Sequence, residues 1–177
     1  MGFVHRAVPD PNTLRRAHKI RLTDWGFTET ALDVGRGESS FKWILLAVTD
    51  SAPCLRATAV AASLARSGTS QVYVVHLVER LFLGRAGWCS METASEATLL
   101  VTRFRAELES LGVRATAITG KSRTDQVARR IVWAATDYKA DVIVIGTHGK
   151  SALHAVLTGS VSHEIIHTSK IPVVVVP

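Results

Sequence analysis

Cysteine is nearly absent from this chain: Cys54 and Cys89 are the only two in 177 residues. That excludes a disulfide framework and a four-thiolate metal site, and two reduced thiols in a cytosolic protein are the expected state. Aromatic residues make up only 6%, too few to interleave with basic residues as a nucleic-acid surface requires. No apolar run approaches the roughly 18 to 20 residues that span a bilayer. The N-terminus also lacks a compact apolar stretch followed by a small-residue cleavage site, so export is not expected. Several catalytic signatures are missing too. There is no Gly-x-Ser-x-Gly elbow and no pair of carboxylates in one motif. Gly149-Lys150-Ser151 resembles the end of a Walker motif, but the glycine required five positions earlier is Val144.

What is present is a globular composition, 47% hydrophobic, enough for one sizeable core plus a tail. The net charge of +6 is not concentrated. Residues 1–40 carry six Lys/Arg against five Asp/Glu, leaving 15 against 10 for the rest. Charge therefore supports a diffuse attraction for phosphates and no specific nucleic-acid binding.

Residues 1–40 read as an N-terminal extension. Pro9, Pro11, Gly26, Gly35 and Gly37 interrupt any long period, and Gly35 to Ser40 resembles a linker. Within it, Thr13 to Leu22 reads either as a short basic helix capped by Thr13 or as solvated chain. The folded domain is expected from Phe41 to Pro177, where strand and helix patterns alternate. Strands are expected at Trp43–Val48, Gln71–Val78, Val113–Thr119, Asp141–Ile145 and Val173–Val176. Helices are expected at Pro53–Ser67, Thr93–Leu111, Asp125–Tyr138 and about Ser160–Ser169, with Glu79–Ser90 as a loop. Continuous β-branched runs suit strands buried on both faces, so the alternation predicts an α/β fold with a doubly wound parallel sheet. Such sheets bind ligands beyond the carboxyl ends of their strands, where the strand order reverses.

The most informative segment follows the fourth strand. Gly146-Thr147-His148-Gly149 leaves the run ending at Ile145, and Gly159-Ser160-Val161-Ser162 opens the last helix. Glycines let the backbone turn and approach a ligand, and a helix N-terminus offers free N–H groups to an anion. The Ser160 and Ser162 hydroxyls can add donors without a fixed charge.

The spacing Gly146-x2-Gly149-x9-Gly159-Ser160 strongly resembles the ATP-binding fingerprint of the universal stress protein family. Supporting likenesses are Ile44 to Val48, Val74-Val75-His76-Leu77 and Gly120 after the third strand. The resemblance covers residues 41–177 and implies a Rossmann-like five-stranded sheet of order 3-2-1-4-5. It also implies a cytoplasmic stress-response protein binding ATP, or ADP or AMP, with Mg²⁺ as a conceivable companion. Carried over, Ile145, Gly146, Thr147, His148 and Gly149 form one wall. Gly159, Ser160, Val161 and Ser162 wrap the phosphates, with Lys150, Ser151 and Ala152 beside them. Ala47, Val48 and Leu77 lie near adenine, and Gly120 flanks the site. One departure stands out. The family's aspartate after the first strand aligns with Thr49, and Asp50 falls one position later, so either Asp50 reaches the ribose through an early turn or Thr49 serves as a neutral partner.

Binding rather than turnover is expected, because no general base or Mg²⁺-holding carboxylate pair is evident. The resemblance further implies a nucleotide-responsive homodimer joined through the Val173–Val176 edge strand. The competing class is a nucleotide-free dimeric adaptor of the same fold. A third candidate rests on His163-Glu164-Ile165-Ile166-His167, which matches the zinc-hydrolase pattern H-E-x-x-H. On a helix its histidines point away from the Val161/Ile165 stripe, and a third ligand would have to come from upstream, from His148 or His154. His76, inside an apolar strand, reads more simply as a satisfied core histidine than as a ligand.

Overall fold

The computed structural model describes residues 41–65, 69–147 and 160–177. Residues 1–40, 66–68 and 148–159 lie outside the described residues. Strand β1 (Trp43–Ala47) runs through the middle of the sheet, parallel to β2 (Gln71–Phe82) on one side and β5 (Val142–Gly146) on the other. Its Ile44, Leu45 and Leu46 are all 0% exposed, as a strand covered on both faces requires. Beyond β2 lies β4 (Arg114–Arg123), and beyond β5 lies β6 (Val173–Val176), both parallel to their neighbours. The parallel strands thus follow the expected 3-2-1-4-5 order.

A sixth strand was not expected. β3 (Trp88–Ser90) pairs antiparallel with Arg80, Leu81 and Phe82 of β2, so the segment Glu79–Ser90 is a hairpin and not a loop. A 3-10 turn at Gly84–Ala86 reverses the chain, with Gly84 at φ +58° and Gly87 at φ +78°. Both angles are readily adopted only without a Cβ.

Helices α1 (Ala52–Leu64) and α2 (Ala94–Ser110) cover one face, and α3 (Val127–Asp137) and α4 (Ser160–Thr168) cover the other. On the first face Ala57, Ala61, Val101, Phe104 and Leu108 pack on Ile44, Leu46 and Val144. On the second, Val127, Ile131 and Ile165 pack on Leu45, Ile143 and Ile145. Alternate residues of one strand therefore serve two cores, as the twofold strand period dictates.

Local chemistry sets the boundaries. The Thr93 hydroxyl accepts from Glu96 N at 3.2 Å and the Glu96 carboxylate accepts from Thr93 N at 2.7 Å, a capping box that starts α2. Gly112 at φ +76° ends it, with Val113 N donating to Leu108 O and Gly112 N to Glu109 O, the Schellman arrangement. Asp141 ties the strand starts together, its carboxylate accepting from both Lys42 N and Trp43 N at 2.8 Å.

Two boundaries differ from expectation in ways that bear on the site. β4 continues through Gly120 to Arg123, because the extended β2 supplies backbone partners as far as Arg80. A 3-10 turn at Thr124–Gln126 precedes α3, which starts at Val127 and not Asp125.

Candidate functional site

A cleft of about 310 Å³ opens beyond the carboxyl ends of β1, β2 and β5. It sits where the strand order reverses, since β1 leads outward through β2 in one direction and β5 lies in the other. Its floor is Ala47, Val48 and Thr49 of the β1 exit with Val75 and Leu77 of β2 and Ile145 of β5. Met91 and Glu92, just after β3, close one side. Val127 and Ile131 of α3 and Val161, Ser162 and Ile165 of α4 close the other. The wall is mainly apolar, with a few polar groups converging on it, as in small-molecule sites generally.

The most constrained of these groups is His76, 7% exposed. Its Nδ1 lies 2.8 Å from the Val48 carbonyl oxygen, which only accepts, so Nδ1 carries a proton. Its Nε2 meets Glu92 Oε1 at 2.5 Å. The ring thereby clamps the segment after the hairpin to the end of β1. Glu79 adds a second carboxylate to the same side of the cleft.

The sequence-derived site residues divide into three groups. Ala47, Val48, Thr49, Leu77, Ile145, Gly146, Val161 and Ser162 line the cleft together. Ser162 is 3% exposed and supplies the polar side chain of the α4 wall. β1 ends at Ala47 while β2 runs on to Phe82, which carries the Leu77 backbone beyond its neighbour and over the cleft. Gly146 is held close to α1: a Cβ there would fall 2.7 Å from the Pro53 carbonyl carbon and 2.8 Å from Cys54 N.

The second group is displaced. Asp50 does not line the cleft; its carboxylate accepts from Arg103 Nη2 at 2.8 Å on the surface, where Asp50's side chain is 79% exposed. There is no bulge to turn it inward, and Thr49 occupies the inward position. Thr49 is held there by Cys54, whose sulfur accepts from Thr49 N at 3.3 Å, and by Ser51, whose hydroxyl is 3.3 Å from Thr49 Oγ1. Gly120 sits within β4 opposite Leu77 and not at a strand exit, with Leu77 Cδ2 filling the space a Cβ would need. Thr147 gives its backbone N–H to Val176 O at 2.8 Å, bracing the β5 exit against β6. The third group, His148, Gly149, Lys150, Ser151, Ala152 and Gly159, lies outside the described residues. Ser160 opens α4.

Sequence reasoning missed Glu79, Met91 and Glu92, because a charged stretch around two glycines reads as a loop. His76 was legible as buried, but its tie to Glu92 was not. The His163, Glu164 and His167 side chains of the H-E-x-x-H motif are not among those that line the cleft, whereas Ile165 between them is. Glu164 accepts from Arg129 at 3.2 Å and the His163 and His167 Nε2 atoms approach to 3.1 Å. Among the described residues no group of three His, Cys, Asp or Glu side chains is disposed to hold a metal ion, nor is any helix long and apolar enough to cross a membrane.

The fold and cleft define a doubly wound α/β domain with an open cleft at its switch point. A model of the universal stress protein family matches residues 40–177. A universal stress protein of Methanocaldococcus jannaschii is 32% identical over 148 residues, covering 81% of this chain and 86% of that protein. One from Thermus aquaticus is 35% identical over 144 residues, covering 77% and 98%. The chain belongs to the universal stress protein family. Among solved structures, a universal stress protein from Archaeoglobus fulgidus superposes with a TM-score of 0.63 at 25% identity, covering 77% of this chain and 98% of that one. A structure of the Archaeoglobus protein in complex with dAMP superposes at 0.59 with 24% identity, covering 78% and 99%.

Proposed function

We propose that this protein binds an adenine nucleotide in the cleft and acts through occupancy rather than turnover. The observation that carries the reading is polarity along the cleft. At the β2 end stand Glu79 and Glu92, acceptors suited to N–H and O–H groups of a base and sugar. At the opposite end Val161 and Ser162 bring the first turn of α4 to the wall, and a helix N-terminus favours phosphate. Ala47, Leu77 and Ile145 between them suit the flat apolar body of a purine. The dAMP complex of the Archaeoglobus relative, and the structures of relatives with cAMP and with AMP, support the same ligand class.

ATP is the species suggested by the glycine fingerprint, and Thr49 in place of an acidic side chain favours weaker binding than an aspartate would give. No Lys or Arg is among the described residues that line the cleft, and the two carboxylates stand at the sugar and base end, so no described residue is disposed to hold Mg²⁺ on a phosphate chain and aim a water. A cytoplasmic homodimer joined along β6, which pairs only with β5 among the described strands, fits the same reading.

The test is to denature purified protein, identify any released nucleotide by mass spectrometry, and titrate the apoprotein with ATP, ADP and AMP with and without Mg²⁺. Saturable heat with intact nucleotide recovered afterwards supports the reading. No heat at millimolar nucleotide overturns it and leaves the adaptor class. Light scattering at high micromolar protein tests the dimer, and a monomer there removes that part alone.

A further inference from the structure

A second recess, of about 200 Å³, lies on the far flank of β2, between β4, β3 and the start of α3. It shares its walls with the nucleotide cleft but takes the neighbouring residues: Arg80 beside Glu79 on β2, and Gln126 and Arg130 beside Val127 and Ile131. Four cations converge on it: Arg80, Lys121, Arg123 and Arg130. Arg123 is neutralised, its Nε and Nη2 donating to the Asp125 carboxylate at 3.0 and 2.9 Å. For Arg80, Lys121 and Arg130 there is no carboxylate partner among the described residues. Arg130 is instead directed inward by donating to the Lys121 carbonyl at 3.4 Å. Arg80 and Arg123 are steadied over the Trp88 ring at 5.3 and 5.8 Å from its centroid.

Three uncompensated cations in one concave site raise the local potential and draw in counter-ions. A lone carboxylate would neutralise one of them. A phosphate monoester carries about −1.5 to −2 charge near neutral pH and offers three strong acceptor oxygens, and guanidinium forks match that geometry. We infer that this recess is a second anion site, taking the phosphate group of a small phosphate ester, separate from the nucleotide cleft. No residue lines both the recess and the cleft. The inference therefore stands whether or not the cleft binds nucleotide.

Inorganic pyrophosphate is the probe, titrated into the full-length protein at low salt while the Trp88 indole N–H resonance is followed by NMR. Trp43 serves as an internal reference, since Trp133 carries the Arg130 guanidinium at 5.8 Å from its ring centroid. The expected result is a saturable shift of Trp88 in the submillimolar to millimolar range. Arg80→Gln combined with Lys121→Gln should weaken it by about tenfold or more, as loss of charge-assisted hydrogen bonds implies. These side chains lie at the surface, and a matched double variant elsewhere, Arg105→Gln with Arg114→Gln, should leave the shift unchanged. The assignment is overturned by a shift that sodium chloride of equal ionic strength reproduces. It is equally overturned by no saturation up to millimolar probe, or by a recess variant that titrates like the wild type.

Discussion

The cleft at the β1 exit and the basic recess are built from the same stretch of β2 and the same start of α3 with the turn before it, yet their chemistry is opposite. One is apolar with carboxylates at its rim; the other is cationic with Trp88 beneath the guanidinium groups. The difference arises from a one-residue step. Glu79 and Arg80 lie on either side of a strand pleat, and Val127 and Ile131 face the sheet while Gln126 and Arg130 stand a third of a turn away. Two adjacent sites of unlike charge can therefore share a wall without sharing a ligand.

The largest disruption of the cleft is expected from Gly146→Val. The added carbon meets Pro53 and Cys54 backbone, which cannot swing aside as a side chain tip does, so the loss should reach about 3 kcal/mol or prevent folding. Urea unfolding measures it, and Gly120→Ala is the contrast: its neighbour is the flexible end of Leu77, so a cost under about 1.5 kcal/mol is expected. Next comes His76→Ala. It strips the Val48 carbonyl and Glu92 of their partner, at about 2 kcal/mol. Adenine nucleotide affinity should fall with it while the Trp88 response to pyrophosphate persists. If both sites weaken together, the two are one unit and the comparison fails.

Smaller effects sharpen the β1 exit. Thr49→Asp restores an acid at the inward position and should strengthen nucleotide binding several-fold by calorimetry. Asp50→Asn should change neither affinity nor stability by more than about 0.5 kcal/mol, since its pair with Arg103 is exposed. An Asp50 variant that lost nucleotide would contradict the outward orientation.

The smallest effect concerns acid. The Thr93 backbone N–H and hydroxyl hold the Glu96 carboxyl below its ordinary value of 4.5. A carboxyl depressed on folding adds stability that is fully present above the unfolded value and is lost as pH falls through the folded one. Wild type should therefore lose Tm on acidification below about pH 4.5 slightly more steeply than Glu96→Gln. Parallel curves for the two would remove the capping box from the account of α2.

The chain's periodicities made much of this legible. The β-branched runs at Gln71–Val78 and Val173–Val176 and the apolar run of β1 announced buried parallel strands, and the pattern from Thr93 to Leu111 announced α2. The hairpin was hidden because Trp88, Cys89 and Ser90 are exposed and carry no alternating pattern. Only the partner backbone of β2 makes them a strand. Gly120 misled for a related reason. A glycine suggests an exit, but strand length is set by how far the neighbour continues.

By itself, then, the sequence determined the fold class, the strand order through its family likeness, and the β1, β2, β5 and α4 segments that converge on the cleft. Those properties follow from local spacing of apolar residues and glycines, which chain geometry translates directly into strands, helices and turns. Tertiary structure alone decided that Thr49 and not Asp50 faces inward, that His76 meets Glu92, and that Arg80, Lys121 and Arg130 line one recess with Trp88. The first depends on how the start of α1 packs against the β1 exit, and the other two on register between segments 16 to 50 residues apart in the chain, quantities that packing fixes and that no local pattern encodes.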